Sequence, residues 1–294
     1  KAAGMGMEII TIDQPGYPLL LRQIADPPSL LFLKGDRELL NLPAVAVVGA
    51  RSASSYGLRS SERLAGTLAQ MGLVIISGLA IGVDAAAHRA ALKAEGRTVA
   101  VLGCGLDICY PAHNKKLQQE IARHGLLVSE YPLGTRADRF RFPARNRIIS
   151  GLCQGVVVVE AGEKSGSLIT AHLALEQGRE VFAVPGSIDS SRSRGSHMLL
   201  KEGARLVQGA EDIIAELPLA VKSLAGPAIA AEKPDPEIGI IEKKVLSCLD
   251  AYPQSVEEIM TATEIEASRI NEALLLLELD GLAEVLPGRR YRRL

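Results

Sequence analysis

From Ala44 onward, short apolar runs alternate with longer amphipathic stretches, and glycine or serine marks most of the junctions. Residues 44–48 form a run that stops at Gly49, and helical periodicity follows over 56–71. Residues 74–76 end at Ser77-Gly78 before a helix over 84–95. Residues 98–102 end at Gly103-Cys104-Gly105 before a helix over 114–123. Leu126 to Val128 reads as another strand and leads into an arginine-rich loop. The pattern then resumes with 156–160, four valines and an acid, which is how a strand buried on both faces reads. A helix over 168–177, a strand over 181–184, a helix near 198–202, a short strand at 206–207 and a helix over 210–216 complete it. Strands alternating with helices of this length predict an α/β fold with a doubly wound, mostly parallel sheet over residues 44–217.

The flanks read differently. Residues 1–43 carry breaks at Tyr17-Pro18 and Asp26-Pro27-Pro28 around a short apolar stretch at 30–33, a lead-in expected to rest on the main domain. Residues 218–237 turn to alanine, proline and lysine without a strong period and read as a linker. In 238–294 a helix over 240–249 precedes a second helix capped by Ser255, with Glu258 three residues on. A third helix over 267–279 carries Ile270, Leu274, Leu276 and Leu277, and a hairpin at 283–286 and 291–294 follows. Three helices and a wing predict a small winged-helix domain, suited either to DNA or to docking of a protein.

Composition adds bounds. With 47% hydrophobic and 23% charged residues the chain can build a sizeable core and need not be disordered. A net charge of −1 confines any site for a polyanion to a local basic patch. Cys104, Cys109, Cys153 and Cys248 form no C-x-x-C pair, so reduced thiols are expected and no metal site. Neither a membrane-length apolar run nor a signal segment occurs, so a cytoplasmic protein is expected. The start at Lys1 leaves room for a natural N-terminus further upstream.

In an open parallel sheet, ligands bind beyond the carboxyl ends of the strands. Small residues crowd those ends here: Gly49 to Ser52, Ser77 to Gly82, Gly103 to Gly105, Ser165-Gly166-Ser167 and Pro185-Gly186-Ser187. Glycine admits an anion close to backbone N–H groups, and the following helix adds partial positive charge, although glycine is also the ordinary turn residue. Arg51 stands where G-x-G-x-x-G would have its second glycine, which argues against a dinucleotide cofactor and for direct contact with phosphate. Between 136 and 147 lie five arginines (136, 139, 141, 145, 147) against one acid, Asp138, with Phe140 and Phe142 among them. Since aromatics are only 3% of the chain, that stretch combines charge and stacking faces as a single-stranded nucleic-acid site does.

Catalytic constellations are sparse, and no enzyme is expected. Asp84 and His88 stand four apart on one predicted helix, a spacing that serves a general base or an ordinary helix-start hydrogen bond. Glu160, Ser165-Gly166-Ser167 and Glu176 echo the nucleotide phosphoribohydrolases of the lysine-decarboxylase-like group, but that group's Pro-Gly-Gly start is missing.

Three longer motifs resemble one family. They are Val47 to Ser54, Ser77 to Asp84 and Phe142 to Ile149, joined by Ser165 to Ala171 and Val184 to Ser187. The chain resembles the DNA-processing protein A (DprA, or Smf) family from about residue 17 to 217, and the family's C-terminal winged helix agrees with 238–294. Its frequent N-terminal helical domain is expected to be absent or removed here. The resemblance implies an extended Rossmann-like domain that binds single-stranded DNA arriving in natural transformation and hands it to the recombinase RecA. It also implies a homodimer, with Met198-Leu199-Leu200 where relatives form the dimer face. By motif it implies that Arg51 and Ser52 meet a backbone phosphate and Arg139 contacts DNA. Phe142 then faces a base, with Arg145, Asn146 and Arg147 supporting the pocket and Ser165, Gly166 and Ser167 on the rim. No cofactor and no metal are implied.

Overall fold

The computed structural model describes residues 6–218, 238–250 and 252–293. They form two compact units, one before and one after the proposed linker, which apart from Pro218 lies outside the described residues.

The first unit is built on one nine-stranded sheet. Its strands are β1 (Glu8–Thr11), β2 (Leu30–Gly35), β3 (Ala44–Val48), β4 (Val74–Ser77), β5 (Thr98–Leu102), β6 (Leu126–Ser129), β7 (Gly155–Val158), β8 (Glu180–Ala183) and β9 (Arg205–Leu206). Their order is β1-β2-β6-β5-β4-β3-β7-β8-β9. From β6 to β9 all pairings are parallel, and β2 joins β6 antiparallel, with β1 antiparallel beyond it. The segment before Ala44 therefore extends the sheet rather than only resting on it.

Among the described residues eight α-helices accompany the sheet: α1 (Leu19–Arg22), α2 (Ser55–Gln70), α3 (Val83–Lys93), α4 (Lys115–His124), α5 (Arg141–Gly151), α6 (Gly166–Glu176), α7 (Arg194–Lys201) and α8 (Ala210–Glu216). Side chains on a strand alternate between faces, and the core divides accordingly. Ala44, Ala46, Val48, Val156 and Val158 cluster with Ile148, Ile149, Leu168 and Ala171 of α5 and α6. Val45, Val47, Val157 and Phe182 cluster with Leu64, Leu68, Val83 and Ala87 of α2 and α3. Both faces of the sheet are thus covered, which explains strands that are apolar throughout. Gly155 is required where it stands, because a Cβ there would lie 2.7 Å from the Phe182 ring.

The chain builds outward from β3 in both directions, through β4, β5 and β6 on one side and β7, β8 and β9 on the other. The switch point lies between β3 and its neighbour β7, and the loops leaving their carboxyl ends diverge there to open a crevice.

The second unit is α9 (Ile240–Cys248), β10 (Gln254–Ser255), α10 (Val256–Thr263), α11 (Ala267–Leu279), β11 (Ala283–Leu286) and β12 (Arg290–Arg293). Ser255 and Glu258 cap α10 reciprocally, Ser255 Oγ accepting from Glu258 N at 3.2 Å and the Glu258 carboxylate from Ser255 N at 2.6 Å. Val245, Ile259, Ile270, Leu274 and Leu277 form its own core. The wing is β11 paired with β12, and β10 closes a three-stranded sheet.

One buried group of the first unit makes stability depend on pH. His88 on α3 is fully buried, with Nδ1 2.6 Å from Thr98 Oγ1. The Thr98 hydroxyl spends its hydrogen on the Ile75 carbonyl at 2.7 Å, so His88 must donate through Nδ1. Burial, reinforced by the cations of Arg145 and Arg89, pushes the His88 pKa from 6.5 down to about 3. Between those values the unfolded chain takes up a proton that the folded chain refuses, so stability falls on acidification, by up to about 1.4 kcal/mol per pH unit. Urea unfolding between pH 7 and pH 4 should show this loss, and His88→Gln should flatten it. An unchanged pH slope in the variant would rule the histidine out as its source.

Candidate nucleic-acid interface

A cleft of about 800 Å³ opens at the carboxyl ends of the parallel strands. Its walls include the loop after β3 (Gly49 to Ser52), Asp84 of α3, Tyr110, and Phe142, Arg145 and Asn146 of α5. Gly162, Lys164, Ser165, Gly166 and Ser167, after β7, line the side across the switch point.

The β3 loop is anchored from β7. Ala50 N donates to the Glu160 carbonyl at 2.7 Å. Ser54 N and Ser54 Oγ donate to the two Glu160 carboxylate oxygens at 2.7 and 2.8 Å. Gly57, in the first turn of α2, leaves the room: a Cβ there would stand 2.6 Å from that carboxylate. Glu160 itself is 4% exposed. The result is a fixed turn with Arg51 and Ser52 exposed on it.

The β4 loop carries backbone strain. Leu79, fully buried, has φ +57°, a left-handed conformation that costs a non-glycine residue about 1–3 kcal/mol. Asp84 offsets it by accepting from Gly78 N at 3.2 Å and Ala80 N at 3.4 Å, while Asn114 Nδ2 donates to the Leu79 carbonyl at 2.9 Å. Burial raises the pKa of Asp84, against the opposing field of Arg145 and the two N–H donors. Asp84 and His88 thus serve different partners, and no acid–base dyad forms from them.

Arg145 is 5% exposed and donates through Nη1 to the carbonyls of Gly78 (2.8 Å) and Val101. Its guanidinium fills the space that a side chain at position 78 would need. Burial draws its pKa down to about 10, with Asp84 acting in the opposite sense. Arg145 is a brace between β4, β5 and α5 at the floor of the cleft. Asn146, 8% exposed, donates from Nδ2 to the Gly166 carbonyl at 3.4 Å and so joins α5 to the start of α6.

The stretch expected to be one loop is half helix. Residues 141–147 belong to α5, with Pro143 in the first turn, where a missing N–H costs nothing. At 100° per residue, Arg145 and Arg147 face different ways. Arg147 points away from the cleft, its Nε on Asp26 at 3.0 Å and its Nη2 on Glu130 at 2.7 Å. It ties the N-terminal segment and the end of β6 to α5 and does not line the cleft. The two phenylalanines separate as well. Phe142 stacks on Tyr110 with ring centroids 5.4 Å apart, and the Arg51 guanidinium lies 5.3 Å from its ring. Gly103 makes room for it, since a Cβ there would sit 2.9 Å from the ring. Phe140 is 71% exposed, outside the cleft lining, and carries the Arg139 guanidinium at 4.7 Å. Arg139 itself is exposed on the cleft wall.

Of the residues expected at the site, the structure brings Arg51, Ser52, Arg139, Phe142, Arg145, Asn146, Ser165, Gly166 and Ser167 around one cleft and sets Arg147 apart. The motifs missed Tyr110, Lys164 and Arg192, which line the same cleft. Among the lining residues the one acid is Asp84, buried and already engaged. Glu176 lies exposed at the far end of α6, so it is not gathered with Glu160. No cluster of three metal-ligating side chains exists among the described residues.

Residues 8–218 match the DNA recombination-mediator protein A family, and residues 230–289 match the DprA winged helix domain. The chain belongs to this family. The DNA processing protein DprA of Streptococcus pneumoniae is 53% identical over 200 residues, 68% of this chain and 71% of that protein. Protein Smf of Escherichia coli is 40% identical over 289 residues, 95% of this chain and 76% of that protein. Among solved structures, DprA from S. pneumoniae superposes with a TM-score of 0.70 at 50% identity, covering 72% of this chain and 75% of that one. DNA processing protein A from Helicobacter pylori, described for its single-stranded DNA binding mode, gives 0.64 at 35% identity, covering 71% and 94%. The family is thus defined by recombination mediation, and the doubly wound sheet with a winged helix is the fold expected from sequence.

The anchoring role of Glu160 has a measurable consequence. Glu160→Ala strands the Ser54 donors and should cost about 2–3 kcal/mol in urea unfolding. Glu176→Ala should leave the unfolding midpoint unchanged. Equal midpoints for wild type and Glu160→Ala would show that the carboxylate does not hold the loop.

Proposed function

We propose that this chain binds single-stranded DNA in the cleft and acts without catalysis as a recombination mediator that protects incoming strands and loads RecA in natural transformation. The observation that carries the reading is the pairing of an exposed arginine with a stacked aromatic at the switch point: Arg51 over Phe142, and Phe142 on Tyr110. Backbone charge and base faces are what single strands of any sequence offer, and a site built from cations and rings meets both. The H. pylori relative, described as binding single-stranded DNA, has the same fold at 35% identity. Arg51, Ser52 and Arg139 contact phosphate, Phe142 receives a base, and Ser165, Gly166 and Ser167 offer donors at the start of α6. Arg145 and Asn146 shape the floor. Arg147 acts from behind, through Asp26 and Glu130.

A homodimer fits this role. In α7, Leu199 is buried, so the partner-facing part of 198–200 is Met198, 44% exposed, with half-buried Leu200. The place of action is the cytoplasm, in keeping with the absence of any membrane-length apolar helix among the described residues.

In the winged-helix unit the third helix suits protein docking better than reading of a DNA groove, while the wing strand β12 carries Arg290, Arg292 and Arg293. That third helix, α11, exposes Glu272 and Glu278, with Asp280 just past its end, against one cation, Arg269, together with Leu275 and Leu279. An acidic surface repels phosphate, whereas a leucine face suits a protein.

Two experiments test these assignments. Arg51→Glu should weaken oligo-dT binding and lower its salt slope by about 0.7, the value of one lost phosphate contact. Phe142→Ala should weaken it by about 1–3 kcal/mol, the worth of one stacked base. If both variants bind like wild type at several salt concentrations, the cleft is not the DNA site. For the mediator role, RecA assembly on strands coated with single-strand-binding protein should be faster with wild type than with Arg51→Glu. A chain ending at Leu217 should keep its oligo-dT affinity, and a large loss of that affinity would place DNA contacts in the winged helix instead.

A further inference from the structure

Two cations that no family motif singled out stand on the β7–β8 side of the cleft. Lys164 follows β7 and Arg192 follows β8, and both are exposed on the cleft lining. Neither makes an ion pair among the described residues. Their neighbour Arg194 does, with Glu163 at 3.5 Å, and Arg194 does not line the cleft. The cations that face the cleft are therefore left free while the adjacent one is neutralised.

The segment that presents Arg192 is fixed to the segment that presents Lys164. Ser190 N donates to Ser187 O at 3.1 Å, Ser193 N to Ser190 O at 3.1 Å, and Arg192 N to Ser190 Oγ at 3.3 Å, which closes a turn. Gly195 N donates to Ala161 O at 2.8 Å, and a Cβ on Gly162 would stand 3.4 Å from Ser191 O. Ser193 is 5% exposed and lies against Gly186. Both cations are thus carried by backbone anchored to strand ends.

We infer that Lys164 and Arg192 form a second phosphate-binding wall, so that a single strand crosses the carboxyl edge of the sheet from Arg51 toward Arg192. This inference rests on the proposed DNA binding in the cleft and adds the path taken. Arg51 follows β3, Lys164 follows β7 and Arg192 follows β8, three consecutive strands in the sheet. Adjacent strands are about 4.8 Å apart, so these loops leave the sheet over about 10 Å, a span that about two or three nucleotides of one strand bridge. Between the walls, the serines and Gly166 at the start of α6 face the same cleft, and outside its own chain neighbours and helix backbone no atom would lie within 4 Å of a Cβ on Gly166, which leaves it open to a phosphate. On the other side, Phe142 and Tyr110 hold the bases near Arg51. The path is perpendicular to the β-strands and passes over the switch point.

The test is oligo-dT binding by the full chain as a function of strand length and salt. For the double variant Lys164→Glu/Arg192→Glu, affinity for strands long enough to reach both walls should fall about tenfold or more at about 0.1 M salt. The salt slope should fall by about 1.4, two contacts at about 0.7 each. Its affinity should also stop rising at a shorter strand length than that of wild type, because the second wall no longer rewards added nucleotides. Arg194→Glu, on the same segment but outside the cleft, should bind like wild type. If the double variant keeps the wild-type slope and plateau length while Arg51→Glu is impaired, the second wall is wrong and the cleft still stands. The same inference fails if Arg194→Glu loses as much as the double variant, since general charge would then explain the effect. If Arg51→Glu also binds normally, the DNA reading of the cleft fails with it.

Discussion

The carboxylate of Glu160 joins the end of β7 to the loop after β3, and the functional face of the sheet is organised around that junction. β3 and β7 are neighbours whose connections run to opposite sides, so the loops leaving them diverge and nothing in the strand ladder holds the resulting crevice in shape. Glu160 supplies the missing link by taking both Ser54 donors, while its main-chain carbonyl takes Ala50 N. The glycine at position 57 is part of the same device, because only a residue without Cβ lets α2 approach the carboxylate. With the loop so held, Arg51 presents its charge from a fixed turn, and less conformational entropy is lost when it meets a ligand.

A second brace works on the other side of the crevice. Arg145 lies at the floor and spends Nη1 on the main-chain carbonyls of Gly78, just after β4, and Val101 in β5. Asp84 takes the N–H groups of the strained turn at Leu79. Their charges face one another across the same turn, and each moves the other's pKa toward its charged form against the cost of burial. What the cleft presents is then decided by the exposed cations that remain. This is how a chain of net charge −1 keeps a basic crevice: its acids lie elsewhere or are consumed in the scaffold.

Much of this architecture was legible in the sequence because it depends on short-range pattern. Apolar runs alternating with amphipathic helices imply a parallel sheet buried on both faces, and the Ser255–Glu258 spacing implies a capped helix. Small residues at strand ends likewise marked the rim, since ligands of such sheets bind there. Arg51 stood out because it occupies a position that a nucleotide-binding loop would give to glycine. Residues 1–43 were less legible, because β2 takes its place by pairing with β6, far along the chain, and the edge strand β1 is placed only through β2.

Tertiary structure decided what each charged side chain does. The arginines of 136–147 look equivalent as a string, yet the turn of α5 sends Arg145 under the cleft and Arg147 to Asp26 and Glu130, while Arg139 stays in solvent. Glu160 resembled a catalytic acid until Ser54 came within hydrogen-bond distance of it. Lys164 and Arg192 stand beside the small-residue stretches at 165–167 and 185–187 without a pattern of their own, and only the adjacency of β7 and β8 sets them side by side. Local propensity is encoded over a few residues and survives in the sequence. The partner of a charge is chosen by contacts dozens of residues apart, and those exist only once the sheet has closed the distance.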